Sequence, residues 1–302
     1  MKLLSILKLP YVNCCGYYFS RSRKAITKPK KPTPTRKHFM KKQACSILAV
    51  MASLITAQEL KATVIFSDNF NGYNNGNLVG QGGWLQTSTS TVDPLQVNAG
   101  VLSVGNTGQD AYSAFGSAVS TTAGGSLFVG LDLDVTAAQA TGDYFLHFGA
   151  TVAGTSGFYD KIWVKSSGSG FVLGSQDNNG TVTYGSTVLS LGTSYRLVTE
   201  EDFVSGPLND TFEFYVNPTD LTTAANNTAY LSATWSGTTA EASSYAEINI
   251  RQGSSTAAPT ETVDNLIVGT DFSDVSAVPE PSTLALAGFG GVAGFLALRR
   301  KK

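Results

Sequence analysis

In Ser126-Leu127-Phe128-Val129-Gly130-Leu131-Asp132-Leu133-Asp134-Val135, apolar and polar side chains alternate with a period of two. Successive side chains of an extended chain point to opposite faces. Leu127, Val129, Leu131, Leu133 and Val135 therefore share one face, and Ser126, Asp132 and Asp134 the other, which predicts a half-buried strand. Thr211–Val216 repeats the pattern, with Phe212, Phe214 and Val216 inward and Glu213 outward. Tyr195 with Leu197, and Ile248 with Ile250, do the same. Leu95-Gln96-Val97 and Val101-Leu102-Ser103-Val104 flank Asn98-Ala99-Gly100, where a glycine supplies the positive φ that a hairpin needs. About a dozen such segments, separated by turn residues and without long helical periodicity, predict an all-β antiparallel sandwich.

The formal charge of −1 for the whole chain averages unlike pieces. Residues 1–39 carry ten Lys or Arg and no acid. From Ala62 to Val278 there are twenty Asp or Glu against only Lys161, Lys165, Arg196 and Arg251, a balance near −16. A body so acidic lacks the clustered cations that nucleic acid requires. Its 217 residues suffice for the core of a single domain. Cys14, Cys15 and Cys45 all precede it, which removes disulfides, thiolate metal sites and cysteine nucleophiles. His147 is its only histidine, which argues against a His-rich zinc site, and although one histidine suffices for a Ser-His-Asp triad, nothing around it has the form of a nucleophile elbow.

Met40-Lys41-Lys42, the apolar stretch Ala44–Ala57 and small residues at Ala57 or Ala62 predict a secretory signal peptide over residues 40–62. The basic, Pro-containing residues 1–39 are read as an unstructured extension upstream of a start at Met40, the alternative being an extended n-region of the signal peptide. At the other end, residues 282–298 are seventeen uncharged residues, about 25 Å as a helix, enough for a thin bilayer. Gly288, Gly290, Gly291 and Gly294 make this predicted transmembrane helix a weak anchor, and the basic tail Arg299-Arg300-Lys301-Lys302 holds its end in the cytoplasm. Residues 63–272 are taken as the sandwich domain and 273–281 as a linker.

Val278-Pro279-Glu280-Pro281, the apolar run and the terminal cations, in that order, resemble the PEP-CTERM sorting tails of Gram-negative bacteria. The resemblance implies Sec export, recognition by the membrane protease exosortase, cleavage near Pro279-Glu280-Pro281 and delivery to the envelope or extracellular matrix. The alternative is a plain C-terminal anchor. A second resemblance covers the body. Phe66-Ser67-Asp68-Asn69-Phe70-Asn71-Gly72-Tyr73 with Gln81-Gly82-Gly83-Trp84, the Asn98–Val104 hairpin, Thr211–Pro218 and Val263-Asp264-Asn265-Leu266-Ile267-Val268 are similar to concanavalin A-like lectin/glucanase (laminin-G-like) jelly rolls. That likeness implies two curved sheets with the first and last strands adjacent, and in some members a glycan or calcium site.

A glycoside hydrolase needs two carboxylates facing across a cleft. The nearest approach to a laminarinase-like Glu-x-Asp-x-x-Glu is Glu200-Glu201-Asp202-Phe203-Val204-Ser205, where Ser205 replaces the final acid; the cluster is read as a solvated loop or strand end. Asp132 and Asp134, about 7 Å apart on one strand face, are read as solvated charges, with a shared Ca²⁺ completed by loop oxygens as the alternative. Asp177-Asn178-Asn179-Gly180 is read as a turn, with a calcium loop as the alternative. For sugar stacking, Trp163 is the prime candidate, between Lys161 and Lys165 on the face opposite Ile162 and Val164, with Tyr159 and Asn179 as companions. Trp84 and Trp235 are assigned to packing. The sequence thus predicts a non-catalytic surface or matrix protein that binds or scaffolds extracellular polysaccharide. A hydrolase and a calcium-dependent adhesin are the alternatives.

Overall fold

The computed structural model describes residues 63–277 apart from 88, 89, 123, 236 and 239. The signal peptide read at 40–62 and the sorting-tail residues Val278, Pro279, Glu280, Pro281 and 282–302 lie outside the described residues. Among those described, the strands are β1 (Val64–Asp68), β2 (Gly76–Asn77), β3 (Leu85–Gln86), β4 (Gln96–Asn98), β5 (Val101–Val104), β6 (Ala111–Ser120), β7 (Gly125–Ala137) and β8 (Asp143–Gly149). There follow β9 (Phe158–Ser167), β10 (Gly170–Gln176), β11 (Thr183–Tyr184), β12 (Ser194–Phe203), β13 (Thr211–Val216), β14 (Leu231–Thr234), β15 (Ser244–Ile250) and β16 (Thr260–Gly269). One five-residue helix, α1 (Phe272–Ser276), completes the body.

The strands form two antiparallel sheets. A nine-stranded sheet runs β14-β13-β12-β7-β16-β5-β4-β2, with β1 also paired to β16; a seven-stranded sheet runs β11-β10-β9-β8-β15-β6-β3. The expected all-β sandwich is thus present. β1 lies beside the last strand, with Asp68 opposite Leu266, as the concanavalin A-like resemblance implied. The five alternating apolar residues of β7 are at most 1% exposed and pack with Phe212, Phe214, Phe145, Phe148 and Ile248 between the sheets. The Asn98 hairpin closes through Ala99 and Gly100, both at positive φ (50° and 83°). Such a two-residue turn follows the right-handed twist of its strands. Non-glycine Ala99 is held there by its N–H, which donates to Asn75 Oδ1 at 2.8 Å.

The opening motif acquires a physical reason in Asp68. Its Oδ2 accepts from Trp84 Nε1 (2.7 Å) and Tyr73 Oη (2.6 Å), and its Oδ1 from the Phe70 N–H (2.7 Å). One carboxylate thereby joins β1 to the Gly-Gly-Trp segment, and Trp84 stacks on Phe70 in the core. Replacing Asp68 by Ala leaves the buried indole N–H without a partner and should cost about 2–4 kcal/mol in a urea melt. A loss below about 1 kcal/mol would show that the carboxylate is dispensable.

The outer face of β7 is also covered, which alternation alone did not foresee. Phe128, Val198, Tyr215 and Ile267 form a second cluster with Phe272 and Val275 of α1. Residues 272–276, read from sequence as the end of the domain and the start of a linker, are a helix docked on the nine-stranded sheet, N-capped by the Asp271 carboxylate accepting from Ser273 N–H (2.9 Å). Gly130 makes this approach feasible: a Cβ there would lie 2.1 Å from the Val275 carbonyl oxygen. Arg196 fastens the exit, donating to Asp132 Oδ1 (3.1 Å), to Asn265 O (3.0 Å) and to the carbonyls of Val275 and Ala277.

Candidate functional site

β9 carries the candidate platform. Ile162 and Val164 enter the core, so Trp163 and Lys165 face outward from the seven-stranded sheet. Register then assembles residues distant in sequence: Tyr144 of β8 pairs with Trp163, Trp163 with Gly174 of β10, and Gly174 with Tyr184 of β11. The rings of Tyr144 and Trp163 lie 5.5 Å apart, and Tyr184 lies over Gly174, where a Cβ would approach its ring to 2.7 Å. The result is an aromatic strip across four strands, about 14 Å at ordinary strand spacing. All three of its aromatic side chains are partly exposed.

Three of the body's four cations border this strip. Lys161 Nζ stands 5.0 Å and the Arg251 guanidinium 4.3 Å from the Tyr144 ring, and Lys165 Nζ 5.1 Å from that of Tyr184. Arg251 is further held by Asp143 at 2.8 Å. Burial lowers Lys161 to about 8, partly offset by Asp177. His147 lies beside the strip, buried between Tyr144 (5.6 Å) and Phe158 (4.4 Å). Desolvation pushes it down to about 3, and its Nδ1 lies 3.2 Å from the Phe148 carbonyl, so the ring is neutral and set by backbone. Next to it in register, Asn249 accepts from Thr87 Oγ1 and donates to Glu247 (both 3.0 Å).

The companions expected for Trp163 stand elsewhere. Tyr159 has the same parity as Trp163, but Asp160 between them takes φ +43° and the β8–β9 register slips there. This break in alternation turns Tyr159 into the core, stacked on Trp235 at 6.3 Å. Asn179 is exposed in the turn after β10, which Gly180 N–H closes on Asp177 O (2.8 Å). Trp84 and Trp235 are both buried in the core. Asp132 is engaged by Arg196 and accepts from Asn265 Nδ2 at 2.8 Å, whereas Asp134 Oδ1 is buried with no hydrogen bond from protein. Among the described residues no group of three His, Cys, Asp or Glu is arranged to hold a metal ion.

The acidic cluster read as a solvated loop or strand end lies at the end of β12, with residues 200–203 in the strand and Val204 and Ser205 beyond it, but its central acid is not solvated. Glu201 is fully buried between the sheets and accepts from Tyr245 Oη at 2.7 Å. Glu200 and Asp202 point to the opposite, α1-bearing side, where Tyr215 Oη (3.2 Å) and Ser126 Oγ donate to them. Glu201 has company: burial raises the carboxyls of Glu201 and Asp160, which repel one another, and lifts Asp177 to about 9 with Asp160 adding to the effect. Trp235 Nε1 has no partner, and both it and Asp177 Oδ2 lie within 3.3 Å of the point where a Cβ on Gly237 would stand. All three carboxyls are buried. A separate cavity of about 720 Å³, lined by Gln96, Ser103, Thr136, Gln252, Thr260 and Thr262 among others, does not include the strip.

Residues 277–301 match the PEP-CTERM protein-sorting motif. No curated protein matches the chain. Solved structures similar to the body include the T. cruzi calreticulin globular domain (11% identity, 77% of this chain and 95% of that one, TM-score 0.44). The Emp47p carbohydrate recognition domain is similar at 10% identity, 71% and 99% coverage and TM-score 0.41. A SAP-like pentraxin from Limulus polyphemus is similar at 15% identity, 55% and 74% coverage and TM-score 0.37.

Proposed function

We propose that this protein is exported, anchored for a time by its apolar C-terminal segment, cut by an exosortase, and then binds extracellular polysaccharide without catalysis through the Tyr144–Trp163–Tyr184 strip. The observation that carries the binding step is the alignment of three partly exposed rings across four strands, bordered by Lys161, Lys165 and Arg251. Flat apolar faces suit the C–H surfaces of pyranose rings, and amine and guanidinium donors alongside suit hydroxyl oxygens. A non-catalytic role is supported by the burial of Asp160, Asp177 and Glu201.

Replacing Trp163 by Ala tests this reading. Losing the larger part of an indole contact, about 1.5–3 kcal/mol, should weaken affinity roughly ten- to a hundredfold. Binding is measured by titration calorimetry against a polysaccharide panel, at a temperature where a thermal melt shows the variant fully folded. Unchanged affinity in both Trp163→Ala and Tyr144→Ala would exclude the strip as the binding surface.

A further inference from the structure

The exit of the chain carries information about orientation, given the sorting reading above. α1 packs on the outer face of the nine-stranded sheet through Phe272 and Val275, whereas the aromatic strip lies on the outer face of the seven-stranded sheet. Arg196 holds the carbonyls of Val275 and Ala277, so the chain remains fastened to that face up to the last described residue. Only residues 278–281 separate this clamp from the apolar segment that begins at Ser282. Four residues reach at most about 14 Å. The planes of two packed sheets are by themselves about 10 Å apart, and α1 adds its own thickness on one side. The tether is thus too short to let the body turn freely over the bilayer.

We propose that α1 and its Arg196 clamp orient the membrane-held precursor, with the nine-stranded sheet toward the bilayer and the aromatic strip away from it. Polysaccharide can then load on the strip before the tail is cut. The strip needs no movement of α1 to become accessible, and the protease meets its site beside a face that carries no strip residue.

The cysteine-free body makes the orientation measurable. Full-length chain with Cys14, Cys15 and Cys45 changed to Ser is placed in vesicles that contain an acceptor-labelled lipid, with a donor dye on Ser273→Cys of α1 or on Thr183→Cys beside Tyr184. Both positions are exposed. Energy transfer should be higher from position 273 than from 183, and a ten-residue Gly/Ser insertion between Ala277 and Val278 should abolish the difference. Equal transfer, higher transfer from 183, or a difference that survives the insertion overturns the orientation while leaving the sorting reading intact. Full-length chain that stays out of the vesicle fraction overturns both.

Discussion

Raising the pH from 5 to 8 should lower the melting temperature of the body by several degrees per unit. Asp160, Asp177, Glu201 and Glu261 all have carboxyls raised by burial, Asp177 to about 9 from an ordinary 3.8. Glu261 is an extreme case, with neither carboxylate oxygen hydrogen-bonded to protein. In the unfolded chain these groups lose their protons near pH 4, while in the folded chain burial holds them on, up to about 7 for Asp160 and about 9 for Asp177. Their contribution is therefore fully present below pH 4 and is lost as pH rises toward the folded values, by about 1.4 kcal/mol per unit for each group. In a domain of this size one such proton per unit corresponds to about 3–5 °C, and because Asp160, Asp177 and Glu201 interact they titrate as a set whose effects do not simply add. Lys161 draws Asp177 the other way, but that effect ranks below burial and the charge of Asp160. His147 opposes the trend between pH 6.5 and about 3, where the unfolded imidazole takes a proton and the folded one does not. One histidine against four carboxyls leaves the sign unchanged. Calorimetric melts at pH 5, 6, 7 and 8 measure the slope, and Asp177→Asn should flatten it and raise the midpoint at pH 8. A midpoint that climbs from pH 5 to 8 would contradict the protonated interior.

Period-two alternation made the frame of the sandwich legible, because burying one face of β7, β12, β13 or β15 leaves a local record in the chain. Tyr195-Arg196-Leu197-Val198-Thr199-Glu200-Glu201 even places Glu201 on the inward parity of Leu197. Charge suggested solvent there, since a buried acid is rare without a partner, and Tyr245 is forty-four residues away. The strip was legible in part. Trp163 announced itself on a polar face, but Tyr144 and Tyr184 join it only through register, which no local pattern encodes. Tyr159 was misassigned for a single reason, the positive φ at Asp160, which resets the alternation in mid-strand. α1 is too short for a 3.6-residue period to emerge. Its trace was instead Gly130, a residue without a side chain in the middle of an otherwise ideal strand.

Gly130 therefore supports the second large effect, which separates a strand defect from a lost docking site. Replacing it by Ala puts a methyl group where the Val275 carbonyl oxygen and an Arg196 nitrogen now stand, 2.1 and 2.6 Å from the ideal Cβ. Neither neighbour has room to yield, because Arg196 is tied to Asp132 and Asn265 and Val275 is fully buried. The helix must lift, at a cost set by re-exposing Phe272 and Val275, about 1.5–3 kcal/mol for each side chain fully uncovered. Partial relief leaves an expected loss of about 2–3 kcal/mol, or roughly 4–12 °C. In a chain ending at Asp271 the Val275 carbonyl is gone and Arg196, no longer held by the carbonyls of Val275 and Ala277, is the one close neighbour left, so the same substitution should cost much less. Comparing the two pairs by thermal melts isolates the coupling between Gly130 and α1. An equal penalty with and without residues 272–277 would place the defect in β7 itself and remove the case that this glycine exists to seat the helix from which the sorting tail departs.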